Sequence, residues 1–211
     1  DKAFYEVLAV ALLSNSTLQD LAFDCPRTCS WLSPLFLALQ VNNGLKHLSI
    51  DEFDLIDEKL STAMRLGLGK NSTLESLDLS KIKSGGNDTC LWRKAFSFLR
   101  TNTALKFLSM TFDQDVIESH ATAIRMDVAT ALRMNESLET LVIYYKDPGF
   151  KEGYLVFLAA FLAAIQPNTT LRKLRLHLQL QAGSLYVAEH EAKCLIPILK
   201  KNYGLEEMML L

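Results

Sequence analysis

A run of the form Asn-x-x-Leu-x-x-Leu-x-Leu recurs seven times along this chain, and it restricts the possible fold more than any other feature. Its first leucine, here the anchor, falls at Leu18, Leu45, Leu74, Leu105, Leu138, Leu171 and Leu205, at intervals of 27, 29, 31, 33, 33 and 34 residues. Three residues before the anchor stands asparagine every time: Asn15, Asn42, Asn71, Asn102, Asn135, Asn168 and Asn202. Six before it is always Leu or Ile, and three and five after it are always apolar. Seven asparagines at one phase are not a chance pattern.

The spacing dictates local structure. Upstream of each asparagine the apolar residues lie three and four apart, which gives a helix with one buried face. Downstream of the anchor they alternate with polar residues, which gives a short strand. Asparagine sits where helix turns into strand. It tolerates left-handed backbone and its amide bonds nearby backbone, so each unit reads as helix, Asn turn, strand and loop.

The pattern predicts helices near 2–14, 33–41, 57–70, 89–101, 117–134, 151–166 and 184–201, with a kink at Pro197 in the last. Strands are predicted around Ala22, Ser49, Asp78, Ser109, Val142, Arg175 and Met209. A helix separates every pair of strands, so the strands must run parallel. One unit cannot bury its own apolar stripe, whereas stacked units share a continuous core. No linker or composition shift divides the chain, so residues 1–211 read as a single domain.

The units, clearest in Asn71-Ser72-Thr73-Leu74-Glu75-Ser76-Leu77-Asp78-Leu79-Ser80 and Asn135-Glu136-Ser137-Leu138-Glu139-Thr140-Leu141, resemble the ribonuclease-inhibitor-like class of leucine-rich repeats. That class includes the inhibitor itself and the repeat domains of NOD-like receptors, Ran GTPase-activating proteins and tropomodulins. The resemblance implies an α/β horseshoe solenoid of seven helix–strand repeats, with a parallel concave sheet and convex helices. It also implies binding of a macromolecule, usually a protein, on the concave face and its rims, with a regulatory GTPase-activating or actin-capping module as the alternative. Fold likeness alone names no partner.

Positions two, four and six after each anchor point out of the concave sheet. In order they are acidic at the N-terminal end, with Asp20, Asp24, Asp51 and Asp78. Phe107, Val142 and Tyr144 come next and are expected to form an exposed apolar centre. Lys173, Arg175 and His177 supply a basic sixth repeat. Aromatic anchors within a polar surround are the composition of protein interfaces. The expected partner-binding residues are therefore Phe107, Val142, Tyr144, Lys173, Arg175, His177, Asp51 and Asp78.

Catalytic signatures are lacking. The four histidines, His47, His120, His177 and His190, fall in different repeats, and no phosphate loop, nucleophile elbow or His-Glu-x-x-His pattern occurs. We expect no enzyme activity, no cofactor, no metal and no small-molecule substrate. With a net charge of −2 and a basic strip confined to repeat six, nucleic acid is not an expected partner. The best apolar run, Tyr154 to Ile165, is too short to cross a membrane.

Four scattered cysteines do not make a disulfide framework, so a cytoplasmic or nuclear setting is expected. Cys25 and Cys29 read as free thiols packed on their loop, with a local bridge as the oxidising alternative. Of five Asn-x-Ser/Thr sequons, those at Asn15, Asn71, Asn135 and Asn168 are the repeat asparagine itself, leaving only Asn87 without a structural explanation. The start at Asp1 and the apolar end Met208-Met209-Leu210-Leu211 suggest a fragment of a longer protein. The C-terminal end is expected to pack on further repeats or on another chain.

Overall fold

Among the described residues seven parallel strands stand side by side in the order of the sequence. They are β1 Asp20–Asp24, β2 His47–Asp51, β3 Ser76–Leu79, β4 Phe107–Asp113, β5 Thr140–Lys146, β6 Lys173–Leu178 and β7 Glu207–Leu210. The computed structural model describes residues 2–25, 29–51, 57–80, 89–113, 128–146, 161–163, 165–178 and 205–210. Each predicted strand centre lies inside a strand, and the pairing keeps the repeat phase. Ala22 faces Ser49, Ser49 faces Asp78, Asp78 faces Ser109, and so on to Met209.

The helices follow the apolar spacing. Helix α1, Lys2–Ser14, buries Tyr5, Ala9 and Leu12. Helix α2, Ser33–Ala38, begins with Pro34 in its first turn, where a missing N–H costs nothing. Helix α3, Glu58–Lys70, is capped by the Asp57 carboxylate, which accepts from the Leu60 N–H at 2.6 Å. Helix α4, Thr89–Phe96, continues as a tighter 3-10 turn over Ser97–Arg100. Helix α2 also ends earlier than its pattern suggests, passing into a turn over 39–41. Apolar spacing reports which residues face the core and does not distinguish a last α-turn from a tighter one. Residues 128–134, 161–163 and 165 are helical, inside the fifth and sixth predicted helices. The predicted helix 184–201, its Pro197, the turn at Asn202 and the sequon at Asn87 lie outside the described residues.

One core joins helices to sheet. Leu12, Leu39, Leu68, Leu99, Leu132 and Ile165, all six before the anchor, share it with the anchors Leu45, Leu74, Leu105, Leu138 and Leu171. The strands add Leu48 and Ile50, Leu77 and Leu79, Leu108 and Met110, Leu141 and Ile143, Leu174 and Leu176. Burying each such side chain contributes roughly 1.5–3 kcal/mol. Helices α2 and α3 approach closely at Gly67, where a Cβ would lie 1.7 Å from the Phe36 carbonyl oxygen.

The asparagines join one unit to the next. The Asn71 amide nitrogen donates to the carbonyls of Leu39 at 2.7 Å and Asn42 at 3.1 Å, both in the preceding unit. Its carbonyl oxygen accepts from the N–H groups of Thr73 and Leu74 in its own turn. Asn42, Asn102, Asn135 and Asn168 repeat the arrangement on the same two carbonyls of the unit before. All five are buried. Two expectations need correction. Asn71 has φ −68° and ψ 131°, so asparagine is required for its amide and not for left-handed backbone. Asn15 is exposed, with no described unit before it, so a buried turn does not explain its sequon. The hydroxyls of Thr73, Ser137 and Thr170, 3.2–3.3 Å from the preceding asparagine carbonyl, account for the recurring third sequon residue.

Candidate protein interface

The sheet face away from the helices carries the predicted site residues, and the register sets them in rows. Asp20, His47, Ser76, Phe107, Thr140, Lys173 and Glu207 form one row across the sheet. Ala22, Ser49, Asp78, Ser109, Val142, Arg175 and Met209 form the next. Thr111, Tyr144 and His177 continue on the longer middle strands.

At the acidic end, Asp20 and His47 meet at 2.6 Å between Oδ1 and Nδ1. Asp78 turns one oxygen to the Ser80 N–H at 2.9 Å, while Asp51 is half-buried on β2. The row Asp20, His47, Ser76 places an acid, an imidazole and a hydroxyl on adjacent strands. Among the described residues no hydrogen bond joins His47 to Ser76, and both Asp20 and His47 stand in solvent, which screens their interaction. The described residues contain no group of three or more His, Cys, Asp or Glu placed to hold a metal ion. Among the described residues Cys25 is buried and in no disulfide, and Cys29's side chain lies outside the described residues.

The centre differs from its expectation at one residue. Phe107 and Tyr144 are half-buried, but Val142 is only 4% exposed. In register it stands between Ser109 and Arg175, with Phe107, Thr140, Tyr144 and His177 around it. A short β-branched side chain among longer ones is shielded by them, so Val142 is a floor to the patch and not a protruding anchor. Ser109 and Thr111 are buried beside it, and the Thr111 hydroxyl donates to the Ser80 carbonyl. Tyr144 stacks on His177, with ring centroids 4.2 Å apart and planes 16° apart. These two rings form one stacked pair bridging β5 and β6.

The basic residues are partly engaged by β7. Arg175 pairs with Glu207 at 3.1 Å and Lys173 reaches the same carboxylate at 3.7 Å. One acid between two cations leaves net positive charge there.

A further row went unnoticed in the sequence. One residue after the second to seventh anchors stand Lys46, Glu75, Lys106, Glu139, Arg172 and Glu206, alternating in sign. Glu75 bridges Lys46 at 3.3 Å and Lys106 at 3.5 Å, and Arg172 bonds Glu206. The hydrogen bond from Lys46, with the charge of Lys106 beside it, holds the Glu75 carboxyl below its ordinary pKa. Reading charge at a single repeat phase, instead of along the chain, would have revealed this row.

No protein-family model matches the chain, and no curated protein matches it in sequence. Among solved structures it is similar to leiomodin-1 actin-binding site 2, with a TM-score of 0.55 at 17% identity, over 76% of this chain and 86% of that one. At this identity the likeness shows a shared α/β fold with a parallel sheet.

Proposed function

We propose that residues 1–211 form one leucine-rich-repeat domain, a horseshoe of seven repeats that holds a protein partner on its concave strand face. The observation that carries this reading is the surface on β4 to β6. There Phe107 and the stacked Tyr144 and His177 lie beside Arg175 and Lys173, in rows that a sheet holds rigidly. Rigid aromatic surface next to charge binds protein at low entropic cost. Asp51 and Asp78 would meet a basic part of the partner, Lys173 and Arg175 an acidic part. The domain works in the cytoplasm in this reading, without cofactor, small-molecule substrate or membrane insertion, and not as an enzyme.

A second reading is a regulatory module that binds or caps actin. It is favoured by the fold likeness to a chain titled as an actin-binding site. Actin is therefore the first partner to test. Co-sedimentation with filaments and titration of labelled monomers should show saturable binding that Tyr144→Ala and Arg175→Glu both weaken. Absence of binding to either form of actin at tens of micromolar would remove this second reading.

A further inference from the structure

The N-terminal end of the sheet carries an inter-repeat surface that no described residue covers. The inner units show how such a surface is normally filled. Anchors Leu45, Leu74, Leu105, Leu138 and Leu171 are buried, whereas Leu18 is 37% exposed. Fourteen residues before the anchor, Leu60 and Leu91 are buried, whereas Phe4 is 55% exposed. Seven before it, Ala38, Gly67, Phe98 and Ala131 are buried, whereas Ala11 is exposed. Val7 is exposed as well, and among the described residues β1 has a sheet partner on one side only.

Asn15 identifies what is missing. Its carbonyl oxygen accepts from Thr17 and Leu18 N–H groups at 3.0 and 2.8 Å, as the asparagines of the next five units do in their own turns. Its amide nitrogen, which in five units donates to two carbonyls of the unit before, has no partner among the described residues. Phe4, Val7, Ala11, Asn15, Leu18 and the free edge of β1 therefore make one further copy of an interface the structure already contains five times.

The geometry points to one occupant for this face: another helix–Asn turn–strand repeat, stacked in parallel register on α1 and β1. Its helix-end and asparagine carbonyls would accept from Asn15. Charge argues against a second copy of this chain. Antiparallel pairing of two β1 strands about Ala22 sets Asp20 opposite Asp24 on both sides. Head-to-tail stacking in register sets Glu207 opposite Asp20. The fitting repeat carries neutral or basic residues opposite Asp20 and Asp24.

The repeat spanning residues 57–88 meets that requirement, because Ser76 and Ser80 would face the two aspartates. The test joins a second copy of residues 57–88 ahead of Lys2 and compares its melting with that of the 211-residue chain. Asn→Asp keeps the acceptor oxygen and removes the donor. Asn15→Asp should be nearly silent in the 211-residue chain. In the extended chain it should lower the melting temperature as much as Asn71→Asp does, by at least about 4 °C. The extended chain itself should melt higher and bind less apolar dye. An extended chain that melts no higher, fails to fold, or leaves Asn15→Asp silent overturns the inference. So does a dimer of the 211-residue chain that Leu18→Glu disperses, since a second copy would then be the occupant.

Discussion

The side-chain amide of Asn135 bonds the Leu99 and Asn102 carbonyls of the preceding unit at 2.8 and 3.1 Å, and its oxygen holds its own turn at Ser137 and Leu138. One planar group thus satisfies four backbone groups in a place water does not reach. Aspartate offers no donor and leucine offers neither function, so the pattern admits asparagine alone. Replacing Asn135 by Ala leaves buried carbonyls unpaired, at a cost of about 1–3 kcal/mol. For a chain of this size that is a fall in melting temperature of about 2–4 °C for each kcal/mol. An unchanged melt would contradict the role. A glycan found on Asn71 or Asn135 by mass spectrometry would contradict it too, since neither amide has room for a sugar. The position of asparagine was legible in the sequence. Its backbone conformation was not, because a turn preference and a bridging role leave the same letter at the same place.

At the level of helices and strands, two devices keep the units in register. The first is close approach. Gly67 lets α3 lie against the Phe36 backbone, and Gly67→Ala would push the helices apart at about 1–3 kcal/mol, measurable by denaturant titration. A midpoint equal to that of the parent would show that the helices yield freely. The second is the alternating charge row. Glu75, lowered in pKa by Lys46 and then Lys106, contributes stability that is complete above the ordinary glutamate range and is lost as pH falls through its lowered value. The difference in melting temperature between the parent and Glu75→Gln should thus be present at neutral pH, shrink in salt and vanish in acid. A difference independent of pH would mean that the pairs add nothing. Apolar periodicity revealed the seven strands of the described residues, because the residues three and five after each anchor are apolar. It missed the 3-10 ending at 97–100 and the charge row, because neither changes which residues are apolar.

For the molecule as a whole, stability accumulates from neighbour to neighbour, and the proposed function assigns the strand face to recognition. The candidate site was legible as a set of positions: register places Phe107, Val142, Tyr144, Lys173, Arg175 and His177 on one face across β4 to β6. Exposure at each position was not legible, because it depends on neighbours from other units. Val142 is covered, Tyr144 is backed by His177, and Lys173 and Arg175 share Glu207. Binding should therefore rest on Phe107 and Tyr144, with the cations setting encounter and its salt dependence. The decisive measurement is partner affinity for the Phe107→Ala/Tyr144→Ala double variant, alongside its melting curve. The account predicts affinity weakened by about 2–4 kcal/mol with the melting transition retained. Unchanged affinity in that variant, with binding abolished by Leu37→Glu on the helix side, would show that the partner sits elsewhere.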